Sequence, residues 1–186
     1  TYLSANPLGM LAGMHTVPNW AMDQNLAFSY RVNVLNRYLW ELYCETTPDL
    51  MIISIPGGVL CLPDDREERY AEMAHLITYA VEPDAALLNL YLDTDLSDDT
   101  LEDMEKLMLY RFGLPVYAFG IAGTVAKDTA NKQVYDKIRV RPYVSAKIPE
   151  YADGGRYRVV STDCPEHLND VWEALLRQMQ DGVHAL

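Results

Sequence analysis

The sequence predicts an α/β fold, a doubly wound, mostly parallel sheet flanked by helices, with a small antiparallel strand pair near residues 137–160. Two observations predict it. Apolar runs of strand length occupy 50–55, 86–92 and 116–121, and such continuous runs are typical of parallel strands covered on both faces. Helical periodicity fills the stretches between the runs, and the connections are short, so the strands can follow one another by right-handed crossovers.

Three helices are predicted before and between these strands. In the first, over 24–46, apolar residues recur at spacings of three and four, and Asp23 is the expected N-cap. The second runs over about 65–81 and ends before Pro83. The third follows the run of capping residues at 97–100, whose carboxylates favour the positive end of a helix.

The last part of the chain predicts a strand pair and a closing helix. Charged and apolar residues alternate over 137–141, which indicates a strand with one solvated face. A turn is expected at 153–155, and 157–160 is the expected partner strand. The closing helix is predicted over 165–180, with Gly182 past its end.

Length and composition predict one α/β domain over residues 1–186. The chain opens on Thr1 within a predicted strand, so we expect it to be the C-terminal part of a longer protein. No apolar run approaches the roughly 20 residues of a membrane span, so we expect no membrane association. The three cysteines, Cys44, Cys61 and Cys164, are widely spaced, which favours reduced thiols and a cytoplasmic protein.

The charge is distributed unevenly. The formal net charge is −12, and residues 1–126 hold 18 acids against 6 Lys and Arg, which argues against nucleic acid as a partner. Residues 127–158 carry a net charge of +4. Here Lys137, Arg139 and Arg141 predict a basic edge strand, beside which an acidic precursor peptide or a partner enzyme could add a further strand. The alternative is a solvated strand pair that carries lysines.

Small, acidic and hydroxyl residues follow the predicted parallel strands. They are Pro56, Gly57, Gly58, Asp93, Asp95, Gly123 and Thr124. Ligands bind at the carboxyl ends of parallel strands, where backbone amides after Pro56 could approach an anion and Asp93 or Asp95 could hold a metal ion. The alternative is that these residues only turn the chain and cap helices. The phosphate-binding patterns GxxxxGK[ST] and GxGxxG are absent, and neither the histidines nor the cysteines have zinc-site spacing.

Two stretches of the sequence resemble a known family. Residues 4–18 contain the pattern G-x-H-x-x-P, and residues 47–58 contain Pro-Asp followed by an apolar run and Ile-Pro-Gly-Gly. Together with the long helix between them, they resemble the C-terminal part of the peptide maturation system proteins found beside radical SAM enzymes in ribosomal-peptide modification clusters. Those natural-product proteins are similar to dethiobiotin-synthetase-like P-loop NTPases. The resemblance covers roughly residues 1–125.

The resemblance implies a nucleotide-binding ancestry, with the phosphate loop upstream of Thr1 and Mg²⁺ bound with a nucleotide in the full-length protein. It puts the Pro-Gly-Gly segment where such NTPases have their acidic switch motif. The sequence departs from that pattern, since Ile55 and Pro56 stand where a metal-holding Asp or Glu is usual, and the guanine-reading NKxD is absent. Whether the full-length protein hydrolyses a nucleotide is therefore open.

The resemblance and the strand ends together predict an accessory, P-loop NTPase-like protein of a peptide maturation system. The alternative is a non-catalytic module that binds a precursor peptide or a modifying enzyme through the basic strand. A third hypothesis is a domain that only forms a homodimer, through the aromatic side chains of the long helix and the residue before it. These are Trp20, Tyr30, Tyr38, Trp40 and Tyr43.

Overall fold

The computed structural model of the chain describes residues 1–4, 7–55, 58–59, 71–91, 94–122, 124–129, 132–137 and 156–183. The chain divides into two compact units, Thr1–Pro83 and Asp84–Leu186. Each unit contains a three-stranded parallel sheet accompanied by helices. The predicted α/β class is confirmed. That residues 1–186 form one domain stays a prediction.

The first unit contains β1 (Tyr2–Ser4), a 3-10 helix (Pro7–Ala12), β2 (His15–Thr16), α1 (Asn19–Met22), α2 (Phe28–Thr46), β3 (Ile52–Ile53) and α3 (Glu72–Ala80). Its strand order is β2-β1-β3, and both pairs are parallel. Leu3 of the central strand lies opposite His15 on one side and Ile53 on the other.

The core of the first unit forms between β1 and the two longer helices. Leu3 is 1% exposed and belongs to one buried cluster with residues of α2 and α3. Those residues recur at helical spacing: Leu35, Leu39 and Leu42 on α2, and Leu76, Ile77 and Ala80 on α3. The apolar residues whose spacing predicted the long helix therefore include those on the buried face of α2.

A buried ion pair joins α2 to the start of α3. The Arg31 guanidinium is paired with the Glu72 carboxylate, and it also donates a hydrogen bond of 3.1 Å to the Ala21 carbonyl oxygen. Nearby, the Asn36 side-chain amide donates to the Ala80 carbonyl oxygen at 2.6 Å. Buried charges are costly unless paired, so these contacts fix how the two helices lie against each other.

The second unit contains β4 (Ala86–Tyr91), α4 (Asp98–Phe112), β5 (Val116–Ala122), β6 (Thr124–Thr129), β7 (Lys132–Lys137), β8 (Val159–Ser161) and α5 (Pro165–Val183). The parallel sheet has the order β4-β5-β8, and β6 pairs with β7 as an antiparallel hairpin.

Helices cover both faces of the second parallel sheet. Ala118 and Val160 share a buried cluster with Val171 of α5. Phe119 points to the opposite face, because successive strand residues alternate. There it meets the Tyr157 ring edge-on at 5.6 Å, and the Tyr157 hydroxyl donates to Glu105 of α4 at 3.2 Å. This unit therefore has the doubly wound arrangement that the sequence predicted.

The antiparallel pair differs in position from the prediction. The structure pairs 124–129 with 132–137, whereas the predicted second strand, at 157–160, becomes β8 and pairs in parallel with β5. All three residues of β8 are buried, which suits a strand inside a covered sheet rather than one with a solvated face. The predicted turn at 153–155 lies outside the described residues.

Two predicted helix ends were wrong. Asp23 is not the N-cap of α2, which begins at Phe28; it ends α1, and its carboxylate accepts from the Asn25 backbone N–H at 2.9 Å. Helix α5 continues through Gly182 to Val183. Within the described ranges, no helix has the length and apolar character needed to cross a membrane.

Replacing Leu3 by alanine should lower the free energy of unfolding of the chain by about 2 to 5 kcal/mol, because it leaves a cavity in the core of the first unit. Leu11→Ala is the matched control. Leu11 is 87% exposed, so its loss should change the value by no more than about 0.5 kcal/mol. Urea unfolding followed by circular dichroism measures both, and equal effects would contradict this account of the core.

Candidate functional site

The residues predicted to form one crevice belong to two units. Gly58 follows β3 in the first unit, whereas Asp95 and Thr124 lie in the second. Pro56, Gly57, Asp93 and Gly123 lie outside the described residues. That the three strand ends meet at one ligand stays a prediction.

Asp95 is engaged at the start of α4. Its carboxylate accepts from the Ser97 backbone N–H at 3.1 Å, from the Ser97 hydroxyl at 3.0 Å and from the Thr100 hydroxyl at 3.3 Å. Ser97 is in turn the N-cap of α4 and accepts from the Thr100 backbone N–H. The Ser97 and Thr100 hydrogen bonds hold the pKa of Asp95 below its ordinary value, because they favour the charged carboxylate.

These contacts make Asp95 a capping residue rather than an open metal ligand. A hard cation such as Mg²⁺ would compete with these hydrogen bonds for the carboxylate oxygens. The described residues also contain no group of three or more His, Cys, Asp or Glu side chains placed to hold a metal ion. Asp93 lies outside the described residues, so the metal site at Asp93 and Asp95 stays a prediction.

A row of hydroxyl side chains crosses the carboxyl end of the first sheet, and sequence reasoning missed it. Ser4 of β1 lies opposite Thr16 of β2. On the other side, the Ser54 backbone N–H donates to the Leu3 carbonyl oxygen at 2.9 Å, which brings Ser54 beside Ser4. Cross-strand neighbours in register point to the same face, so the side chains of these three residues, the hydroxyl row, lie side by side on one face of the sheet.

A short loop folds back over the middle of the hydroxyl row. A Cβ atom on Gly9 would lie 2.9 Å from the Ser4 Cβ and 3.3 Å from the Met14 sulfur, so the backbone passes where only glycine fits. The Met14 backbone N–H closes the loop by donating to the Gly9 carbonyl oxygen at 3.0 Å. The loop buries Ser4, which is 7% exposed, and leaves Thr16 and Ser54 more open.

The hydroxyl row can orient a ligand but cannot neutralise one. Ser and Thr hydroxyls both donate and accept hydrogen bonds, which suits phosphate oxygens, sugar hydroxyls or a peptide backbone. They carry no charge, however, and they are not themselves general bases. The hydroxyl row is therefore suited to contacts with the neutral parts of a ligand.

The basic strand is described only at its first residue. Lys137 ends β7, and it lies directly opposite Thr124, the first residue of β6. The hairpin thus brings together two residues that the sequence assigned to different sites. Arg139 and Arg141 lie outside the described residues, so the basic peptide-binding strand stays a prediction.

The aromatic residues proposed for dimerisation divide into two groups. Tyr38 packs edge-on against Trp20 at 6.4 Å, and its hydroxyl donates to the Thr16 carbonyl oxygen, so it belongs to the fold of the unit. Tyr30, Trp40 and Tyr43 are 55%, 64% and 49% exposed. The homodimer, a partner enzyme and the cytoplasmic location stay predictions.

Comparison of the chain with protein families, with curated proteins and with solved structures finds no match. The resemblance to the peptide maturation proteins is therefore carried by the two sequence stretches alone.

Gly9→Ala should lower the free energy of unfolding by about 1 to 3 kcal/mol, because the added methyl group overlaps the Ser4 Cβ. A double-mutant cycle tests the cause. In a Ser4→Gly background the opposing Cβ is gone, so the cost of Gly9→Ala should fall. Urea unfolding of the four proteins measures the coupling, and an unchanged cost would show that the contact is not responsible.

Asp95→Asn should destabilise the protein at neutral pH, and the difference from wild type should shrink as the pH falls below about 4. The folded-state pKa of Asp95 is lowered, so its stabilisation is present above the unfolded pKa and is lost as the pH falls through the folded one. Thermal unfolding between pH 3 and pH 7 measures this. Asp84→Asn is the control, since the Asp84 carboxylate accepts no hydrogen bond from the described residues.

Proposed function

We propose that this chain is part of an accessory, P-loop NTPase-like protein of a peptide maturation system. Its ligand crevice lies at the carboxyl ends of its parallel strands. In this proposal the first unit binds part of a nucleotide, and the residues that hold the phosphates come from sequence upstream of Thr1.

One observation supports the proposal more than any other. The two stretches that carry the family resemblance, residues 4–18 and 47–58, are far apart in sequence, yet they supply the two outer strands, β2 and β3, that pair with β1 in one parallel sheet. They also supply the whole hydroxyl row at its carboxyl edge. Ligands of open parallel sheets bind at this edge, where the strand order reverses around a central strand such as β1.

The proposal is one of nucleotide binding. The hydroxyl row would contact neutral parts of the nucleotide, and Mg²⁺ would arrive with the phosphates in the full-length protein. Ile55 and Pro56 supply no carboxylate after β3. Hydrolysis would therefore need an acidic residue from elsewhere, and the chain by itself gives no reason to assign a catalytic residue.

Calorimetric titration with ATP and with GTP, each with and without Mg²⁺, tests the proposal on this chain and on the protein extended upstream. We expect the extended protein to bind a nucleotide with Mg²⁺ and this chain alone to bind weakly or not at all. If neither protein bound ATP or GTP, the proposal would be overturned.

A substitution ties the binding to the hydroxyl row. Thr16→Val in the extended protein should weaken nucleotide binding by a few-fold to roughly tenfold, the usual effect of one lost hydrogen bond. Thr78→Val is the matched control, because the Thr78 hydroxyl bonds within α3, to the Ala74 carbonyl oxygen. Equal affinity of the Thr16 variant and wild type would place the nucleotide elsewhere.

A further inference from the structure

An open groove lies between β8 and α5 in the second unit. Its volume is about 320 Å³. Its walls, which define the α5 groove, are Arg158, Val159, Val160, His167, Asp170, Val171 and Ala174. The four helix residues are spaced by three and four, so they form one face of α5 directed at β8.

Two polar side chains of the α5 groove, those of Arg158 and His167, make no ion pair or side-chain hydrogen bond within the described part of the chain. The Nδ1 atom of His167 is buried and makes no hydrogen bond there. The Arg158 guanidinium lies 4.6 Å from the centre of the Tyr117 ring, and no described carboxylate lies within 4.0 Å of it. Buried polar atoms are nearly always satisfied in folded proteins, so an unpaired one beside a cavity indicates a bound group.

The backbone of β8 offers further unpaired groups at the rim of the groove. The Phe119 N–H donates to the Arg158 carbonyl oxygen, and the Thr162 N–H donates to the Ile121 carbonyl oxygen. In a parallel ladder, residues of each strand alternate in direction, so Val160 faces β5 while the N–H and C=O of Val159 face away from it. Among the described strands, β8 is the edge of its sheet on this side.

We propose that the α5 groove binds an extended peptide segment, which adds to β8 as a further strand and places an acidic side chain against Arg158. Edge N–H and C=O groups recognise a peptide backbone, and a groove beside them recognises alternate side chains. The apolar side chains of Val160, Val171 and Ala174 line the groove beside this edge. The proposal does not rest on the nucleotide site, because every residue in it belongs to the second unit.

The dimensions of the groove suit a short segment. From His167 to Ala174 the helix rises about 10 Å, the length of roughly three residues of extended chain. Side chains two residues apart share one face of a strand. An acidic residue at Arg158 therefore puts the residue two positions away on the same side of the peptide strand, facing the groove that His167 and Asp170 line.

Hydrogen exchange of the free chain tests whether the edge of β8 is open. The Val159 amide should exchange much faster than the Val160 amide, which faces β5, although both side chains are buried. Equal protection of the two amides would show that the protein already covers this edge, and the proposal would then be wrong.

Titration with the peptide acetyl-Thr-Val-Glu-Val-Thr-amide, followed by NMR, tests the ligand. The sequence reads the same in both directions, so it fits a parallel or an antiparallel strand. We expect saturable shifts at the Val159 amide and the His167 ring, together with slower exchange of that amide. No shift at these groups at millimolar peptide would overturn the proposal.

Two variants test the charge. Arg158→Gln should weaken binding roughly threefold to tenfold, and replacing the peptide's glutamate by glutamine should remove that difference. Arg177→Gln is the control, because Arg177 is also an exposed arginine of this unit but pairs with Glu173 on α5. Equal weakening by the two variants would mean that the peptide responds only to overall charge.

Methylated peptides test strand addition. One peptide carries N-methyl groups on both valines and another on the glutamate, and a strand uses the N–H groups of alternate residues only. One methylated peptide should therefore lose binding while the other keeps it. Loss by both, or by neither, would contradict addition to the edge of β8.

Discussion

Parallel pairing on both edges of β5 is the constraint on which the second unit depends. A strand cannot be reached from a parallel neighbour by a tight turn, and between β4 and β5 the chain crosses back along α4. Ala118, Phe119, Gly120 and Ile121 are all buried, since helices cover both faces of the sheet. A Cβ on Gly120 would overlap the Asn89 side-chain oxygen and a Thr162 methyl carbon. The side chains of these two residues therefore occupy the space that a side chain at position 120 would need.

The same constraint gives the two units different binding surfaces. In the first sheet, the central strand β1 ends between its neighbours, so the hydroxyl groups of Ser4, Thr16 and Ser54 form a row across the edge. In the second sheet, β8 is the last strand along the chain, and among the described strands it pairs with β5 alone. The carboxyl end of a sheet presents side chains, which favours a small ligand. An edge strand such as β8 presents backbone N–H and C=O groups, which favours a peptide.

The sequence predicts the helices and strands better than it predicts which strands pair with each other. Continuous apolar runs identified β4 and β5, and helical periodicity identified α2, α4 and α5, because both signals depend on neighbouring residues alone. The partner of β8 was missed, since Val159 and Val160 read the same in a parallel or an antiparallel pair. The hydroxyl row was missed because the register of Ser4 with Thr16 and Ser54 is set by packing between residues distant in sequence.

Residue type alone also misjudges which polar groups remain available. Asp95 has the chemistry of a metal ligand, but its carboxylate already receives hydrogen bonds from Ser97 and Thr100, and its lowered pKa follows from them. The spacing of the histidines gave His167 no functional role. In the structure its Nδ1 atom is buried, and His167 lines the α5 groove without a hydrogen bond to that atom from the described residues. A satisfied group stabilises the fold, and an unsatisfied one costs free energy until a ligand pairs with it. That criterion is the reason for which we propose the edge of β8 as a binding surface of the second unit.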